Sequence, residues 1–440
     1  MSFDPSPFAA RRLRLADQMR AAGGGVAYIP TAREALRNGD SEYAYRFGSN
    51  FYYLTGFVEP EASLLVIADA THTRCVLFCR EKNFEREIWD GFRYGPAAAA
   101  GTFGLDEAWP ITELETRLPD YLADQAAVFH TIGADNAEDS RIVRALDALR
   151  ARARTGVTPP ASVRDLRLLI DEMRLHKDPD ELAAMRRAAA ISSDAHARAM
   201  RFARPSRFEY QVAAELMHEF LSRGAQAPAY TPIVASGANA CVLHYVGNRA
   251  QLADGDLLLI DAGCEVDGYA ADITRTFPVN GRFTGPQRDI YELVLAAELA
   301  AIDKVRAGQP YNAYHDAAVA VLTQGLLDLG LLAGDRDGLI ESKAYNRFYM
   351  HSTGHWLGLD VHDAGRYKID GGWRPLAENQ VLTVEPGLYI RPADDVPAHF
   401  WNIGVRIEDD VRITDGAPEV LSAGAPKTVA DIEALMRDRA

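Results

Sequence analysis

The chain is poor in cysteine, with only Cys75, Cys79, Cys241 and Cys264 among 440 residues. No C-x-x-C pair occurs, so a disulfide framework is not encoded. Cys75 and Cys79 share one short apolar run and read as small buried hydrophobes. No stretch reaches the ~20 apolar residues that span a bilayer. Met1–Arg20 mixes charge and proline without an unbroken apolar core, so it does not read as a signal peptide. Positive charge is also scarce: the net charge is −15. That argues against a nucleic-acid surface, which needs a basic face. These absences point to a soluble, cytoplasmic protein without a nucleic-acid or membrane partner.

The composition, 48% hydrophobic and 25% charged, is that of an ordinary globular protein. At ~150 residues per domain, two or three domains are expected. The first third reads as mixed α/β. Arg11–Ala22 has helical spacing and stops at Gly23-Gly24-Gly25. Val26–Ile29, Phe51–Leu54, Ser63–Ile67 and Arg74–Phe78 are short apolar, β-rich runs. The helical pattern of Arg141–Arg154 ends near Thr155-Gly156, Thr158-Pro159-Pro160-Ala161-Ser162 cannot continue a helix, and Lys177-Asp178-Pro179-Asp180 follows an amphipathic segment, Val163–Leu175. The expected domains are therefore 1–175 and 176–440. In the second, two helical patterns (Glu181–Phe202, Glu209–Arg223) precede two strands (Leu257–Ala262, Tyr269–Phe277). Two more helices (Gln287–Ala307, Ala313–Leu332) precede two more strands (Val381–Glu385, Val405–Ile413). The rhythm predicts a duplicated architecture.

Chemistry concentrates in the second domain. Asp261 ends the apolar run Leu257–Ile260, a costly place for an acid unless it is paired or ligated. If Asp267-Gly268 is a two-residue hairpin turn, residue 266 faces 269 and 261 faces 274. Asp272 then shares a face with 274, so Asp261 and Asp272 are diagonal neighbours about 7–8 Å apart or less. Two such charges need a proton, a basic partner or a cation. Arg275 is near in sequence but has the wrong parity for that face, which favours a cation. The second strand pair repeats the pattern. Glu385 ends a strand before Pro386, and Arg406 and Glu408 alternate with Val405 and Ile407. In isolation Glu408 is an ordinary surface strand residue; its weight comes from its company. Between these pairs lie His351, His355 and His362, three of the chain's eleven histidines. Gly354 and Gly358 argue against a helix there, and the glutamate of H-E-x-x-H is missing. Four carboxylates with imidazole suit divalent ions, and two such ions would support a binuclear metallohydrolase.

The same residues carry a resemblance. Asp261, Asp272, His355, Glu385 and Glu408, in that order and context, resemble the ligand set of the pita-bread metallopeptidases. His351-Ser-Thr-Gly-His355-Trp-Leu-Gly-Leu-Asp-Val-His362-Asp, Leu382-Thr-Val-Glu385-Pro-Gly and Gly404-Val-Arg406-Ile-Glu408 are similar to the Xaa-Pro aminopeptidase (aminopeptidase P) family. In the first domain Phe51-Tyr-Tyr-Leu-Thr-Gly and Glu87-Ile-Trp89-Asp-Gly extend the likeness, and Ser352-Thr353 is its one departure, off the ligand list.

The resemblance implies an α/β (α+β) chain: an N-terminal α/β domain for substrate access and oligomerisation, then a catalytic pita-bread domain with an internal pseudo-two-fold. It implies two divalent ions, manganese first, with zinc or cobalt possible. Asp261 would bind one, His355 and Glu385 the other, with Asp272 and Glu408 bridging both. It implies hydrolysis of the bond before a penultimate proline by a bridging hydroxide. His362 would stabilise the intermediate and Glu385 would shuttle the proton. His351 and His244 would contact substrate, Arg406 and Tyr389 would support the site, and Trp89 would approach an active site. A dimer or tetramer is implied as well. Proline itself calls for such a site, since its tertiary amide lacks the N–H that other proteases grip; Tyr230, Tyr245, Trp356 and Tyr389 are the candidate apolar walls. The alternatives are a prolidase confined to dipeptides, a methionine aminopeptidase (for which the first domain would be superfluous), and a non-catalytic peptide-binding module of this fold.

Overall fold

A computed structural model describes residues 3–438. The chain forms two compact units, Met1–Met173 and Arg174–Ala440.

The first unit is built on a six-stranded mixed sheet: β1 (Gly25–Pro30), β2 (Ser63–Ala68), β3 (Thr73–Cys79), β4 (Glu107–Pro110), β5 (Ala127–His130) and β6 (Ser162–Asp165), in the order β4-β3-β2-β1-β5-β6. Antiparallel pairs join β1–β2 and β2–β3; parallel pairs join β3–β4, β1–β5 and β5–β6. Val26, Tyr28, Leu65, Val76 and Phe78 form a buried cluster with Leu118 and Leu122 of helix α1 (Leu114–Leu122) and Ile142, Leu146 and Leu149 of α2 (Asn136–Ala151). Period-two alternation on the strands meets the apolar stripes of the helices. One β-rich run does not form a strand: Phe51–Leu54 lies in helix Ser49–Thr55, which Gly56 ends in the left-handed region at φ +67°. That glycine is a helix stop, and Phe51, Tyr53 and Leu54 are buried, so packing overrides strand propensity.

In the second unit, α3 (Pro179–Phe202) and α4 (Glu209–Ser222) precede β7 (Ile233–Ser236), β8 (Leu257–Asp261), β9 (Cys264–Val266), β10 (Tyr269–Ala270) and β11 (Thr274–Pro278). Asp178 starts α3 with a capping box closed by Glu181. Helices α5 (Gly285–Lys304) and α6 (Ala313–Asp328) then precede β12 (Val381–Val384), β13 (Gly387–Ile390), β14 (Ile403–Arg406) and β15 (Asp409–Arg412). Two helices followed by a folded strand pair thus occur twice, and both halves share one apolar core. That core buries Leu258 and Ile260 of β8 and Val384 and Leu388 of the second pair together.

The first strand pair has the register that Asp267-Gly268 dictates. Asp267 and Gly268 have φ of +50° and +80°, a turn that needs positive φ at both centres. Val266 faces Tyr269, and Asp261 faces Thr274. The pair is not continuous: β8–β11 and β9–β10 belong to different sheets. At the break, a Cβ on Gly263 would lie 1.8 Å from the Ala271 carbonyl oxygen, so only glycine permits the crossing. The second pair breaks in the same way. Val381–Val384 pairs with Asp409–Arg412, while Gly387–Ile390 pairs with Ile403–Arg406. The single strand expected over Val405–Ile413 is therefore two strands with Glu408 at the gap.

Candidate metal centre

Both breaks open on one cavity of about 770 Å3, and Asp261, Asp272, His355, Glu385 and Glu408 all line it. Asp261 and Glu385 stand at the ends of strands, and Asp272 and Glu408 in the gaps. A backbone bridge from Glu408 N–H to the Thr274 carbonyl (3.1 Å) brings the two gaps together. One donor atom each from Asp272, His355 and Glu408 falls within 4.8 Å of the others.

His355 arrives from outside both pairs. Its segment runs antiparallel to β12: Thr383 N–H donates to the His355 carbonyl (2.9 Å), and Glu385 N–H to that of Thr353 (2.7 Å). Gly354 makes this approach possible, because a Cβ there would sit 1.9 Å from the Thr383 carbonyl oxygen. The expectation of no helix here holds for that reason. Gly354→Ala must push the segment off β12, and we expect it to lower metal-dependent activity about tenfold or more, with weakened metal retention, since misplaced ligands bind poorly. Metal content by elemental analysis alongside kinetics checks this; parental values in both would exclude the packing argument. His355 Nδ1 lies 3.0 Å from the Trp356 carbonyl oxygen. Nδ1–H donation there leaves Nε2 for a metal, and Nε2 points at Asp272 Oδ2 (3.4 Å) and Glu385 Oε1 (3.8 Å).

The charges are badly compensated by protein alone. Burial, then Asp272 and Glu385, push Glu408 well above the usual carboxylate range. Burial raises Glu385 to about 7, and burial also raises Asp261 despite Arg406. Burial would raise Asp272 too, but the His355 hydrogen bond and charge outweigh it and hold it low. Burial would lower His355, but Asp272 and Glu385 lift it to about 9. The Tyr230 hydroxyl is 2.6 Å from Asp261 Oδ1 and 2.5 Å from Asp272 Oδ1. A phenol has one hydrogen, so one of those contacts demands a second proton or a cation. Oxygen-rich donors with one imidazole fit a hard or borderline divalent ion, and the donor set passes that test.

One basic partner is present. Arg406 Nη2 donates to Asp261 Oδ2 (2.6 Å), Nη1 to the Tyr389 hydroxyl (3.0 Å) and Nε to Thr274 Oγ1 (3.1 Å). Thr274 in turn donates to Glu408 Oε2 (2.6 Å). Arg275 takes no part, as its parity predicts: it is turned away onto Asp409 (2.7 Å). Arg406 donates to one oxygen of one acid and His355 offsets Asp272, while Glu385 and Glu408 stay raised.

Around the acids stand His244, His351 and His362, which also line the cavity. The His362 ring lies 4.0 Å from that of His355, tilted by 38°, and burial and that neighbour hold it below its usual pKa. His351 is lowered to about 4 by burial and Arg406. Its Nε2 meets the Tyr389 hydroxyl (2.8 Å) and its Nδ1 the Ser352 carbonyl (2.8 Å). Both nitrogens are engaged, so in this arrangement His351 is a neutral wall of the cavity and not a proton donor to it. Tyr389 is 1% exposed, and it is His351, to which it is hydrogen-bonded, that faces the cavity. The apolar walls differ from those expected: Tyr311, Tyr367 and Trp373 line the cavity, while Trp356 is fully buried behind Tyr311 and Tyr367. Trp89 lies in the first unit, in helix Phe84–Asp90, with 83% exposure. Sequence reasoning gave no role to the Thr274 hydroxyl, which links Arg406 to Glu408.

Comparison with known proteins places this constellation. Residues 183–415 match the model of metallopeptidase family M24, and residues 8–129 that of the aminopeptidase P N-terminal domain. The chain belongs to metallopeptidase family M24. It is 46% identical over 430 residues to a Xaa-Pro aminopeptidase of Escherichia coli (strain K12), covering 98% of this chain and 97% of the relative. Its fold matches the structure of Pseudomonas aeruginosa aminopeptidase PepP with a TM-score of 0.97 at 49% identity, over 99% and 98% of the two chains. Zinc-substituted E. coli aminopeptidase P in complex with product matches with a TM-score of 0.96 at 45% identity over 100% of each chain.

Proposed function

We propose that this metallopeptidase is a Xaa-Pro aminopeptidase, releasing an N-terminal residue from peptides with proline second. The observation that carries the reading is the convergence on one cavity of four carboxylates from two distant strand pairs and one imidazole from a segment outside them, in a chain 46% identical to a Xaa-Pro aminopeptidase. The centre would hold two divalent ions, manganese by preference and zinc or cobalt as substitutes. Asp261 would hold one, His355 and Glu385 the other, and Asp272 and Glu408 would contribute to both. Bound there, such ions acidify a water and polarise the peptide carbonyl.

The chain's own groups supply the rest. Glu385 takes the proton of the attacking water and passes it to the departing proline nitrogen. His362 donates its N–H to the carbonyl oxygen as charge builds there. His244 contacts the substrate beside the scissile bond, and the Arg406–Tyr389–His351 chain holds the wall. The His355-Trp-Leu-Gly-Leu-Asp360 context favours the aminopeptidase over a prolidase. All five candidate ligand residues line the cavity, which disfavours a non-catalytic binding module. A homo-oligomer, dimer or tetramer, in the cytoplasm is part of this reading. Phe84, Ile88, Trp89 and Phe92, between 65% and 83% exposed on the first unit, support it as a surface that association would cover and that would let Trp89 serve a neighbour's site.

The test is hydrolysis of a tripeptide with proline second against the matching Xaa-Pro dipeptide, by chelated and Mn²⁺-, Zn²⁺- or Co²⁺-loaded protein. We expect metal-dependent release of the first residue from the tripeptide and little turnover of the dipeptide. An inert metal-loaded protein would remove the proposal, and a dipeptide preference would turn it into a prolidase.

A further inference from the structure

We propose that Glu209 is the positioning residue of the His244 wall; the inference rests on the reading of His244 as a substrate contact. Glu209 is the first residue of α4 and fully buried. Its Oε1 accepts from Ser236 N–H (2.8 Å), Ser236 Oγ (2.7 Å) and Asn239 Nδ2 (3.1 Å). Its Oε2 accepts from the Tyr245 hydroxyl (2.8 Å) and Ala250 N–H (2.9 Å). All five donors are neutral, and the helix N-terminus adds a favourable dipole. The Glu209 N–H also donates to the Ala250 carbonyl (3.0 Å).

These donors bracket one segment. Ser236 and Asn239 stand before His244, Tyr245 and Ala250 after it, and residues 242–249 contain no helix or strand. Leu243 and His244, in the middle, line the cavity. A stretch without a backbone ladder of its own has few fixed points. Here one carboxylate ties both ends, and the residue after His244 is itself one of the ties. Glu209 therefore acts on the site without touching it.

Glutamine tests this with almost no change of shape. Each carboxylate oxygen accepts one backbone N–H, from Ser236 and from Ala250. An amide keeps only one oxygen, so in either orientation its NH₂ faces a backbone donor that has nowhere else to go. Tyr245→Phe removes a single tie on the His244 side and leaves the carboxylate intact.

The experiment is steady-state kinetics of full-length, Mn²⁺-loaded Glu209→Gln, Tyr245→Phe, His244→Ala and the double variants with His244→Ala, on the same tripeptide, with metal content measured throughout. We expect Glu209→Gln to lower kcat/KM by about 10- to 100-fold, chiefly through KM, and Tyr245→Phe by roughly threefold or more. Metal content stays parental. Each double variant is no worse than His244→Ala alone within about twofold, because coupled residues are not additive. Should Glu209→Gln fail to fold, the Tyr245→Phe cycle decides. Losses that multiply in the double variants, or that follow lost metal, would overturn the proposal as a merely structural effect. A damaging His244→Ala with silent Glu209→Gln and Tyr245→Phe would overturn it while leaving the reading of His244 intact. A silent His244→Ala would remove both.

Discussion

Glu408→Ala, and equally Asp272→Ala, is expected to lower tripeptide turnover by about a thousandfold or more, while the metal-free variant stays folded. Glu408 is 2% exposed and its Oε2 is already held by Thr274 at 2.6 Å. Without a cation it is a liability. A carboxyl whose pKa is raised on folding costs nothing below its unfolded value, near 4.5 for Glu408. It then costs progressively more as pH climbs through the folded value, because the native state holds the proton that the unfolded chain has released. For Glu385 that window closes at about 7; for Glu408 it reaches higher. Glu408→Gln removes the ionisable group, so the metal-free variant should be at least as stable as the metal-free parent at pH 7–8. Added Mn²⁺ should behave in the opposite way. It stabilises the parent by RT ln(1 + [L]/Kd), about 2.7 kcal/mol at a hundredfold excess over Kd, and should scarcely move the variant. Thermal scans with and without Mn²⁺, beside kinetics, separate a lost ligand from a lost fold. Turnover within tenfold of the parent, or an unchanged response to Mn²⁺, would show that Glu408 does not hold metal.

The arrangement behind this prediction was partly legible from residue order. A turn dipeptide with both residues at positive φ fixes a hairpin's register locally, so Asp261 opposite Thr274 could be read by counting. Parity along a strand likewise sent Arg275 away from the acids and put Arg406 and Glu408 on one side. Other features depend on the fold as a whole. Arg406 reaches Asp261 from 145 positions away, and no spacing rule foretells a contact between two strand pairs that meet only once both are folded. The Tyr230 hydroxyl between two aspartates is of the same kind. So is Trp356, whose neighbours suggested a pocket wall but which the core claims because Tyr311 and Tyr367 cover it. The breaks in both strand pairs had a local trace, Gly263 and Pro386. Their purpose becomes visible only where Glu408 N–H meets the Thr274 carbonyl. Glu209 left no trace beyond its position at a helix start, since its five donors are gathered from a segment without repeating pattern.

The second large effect concerns stability: Arg275→Met is expected to destabilise the protein by about 3–5 kcal/mol. Arg275 and Asp409 are both fully buried, paired at 2.7 Å. The guanidinium also donates to the carbonyls of Thr274 (2.9 Å), Glu408 (2.7 Å), Ala425 (3.0 Å) and Pro426 (3.2 Å). Methionine fills the volume but takes one donor from each of those oxygens, leaving the Thr274 carbonyl with the Glu408 N–H (3.1 Å), and Asp409 keeps Lys427 and Ser422 but loses its guanidinium. Because two of the freed carbonyls belong to Thr274 and Glu408, the loss should also weaken metal retention, so stability and Mn²⁺ affinity fall together. Arg275→Lys keeps the charge without the planar fork and should fall between. Arg150→Met provides the contrast: its pair with Asp147 is 60% and 64% exposed, and such pairs contribute at most about 1 kcal/mol. Urea midpoints at unchanged slope, measured on metal-free protein, give the comparison. If Arg275→Met shifted stability no more than Arg150→Met does, the buried network would be dispensable, and the strand pairs would have to be held together by their apolar core alone.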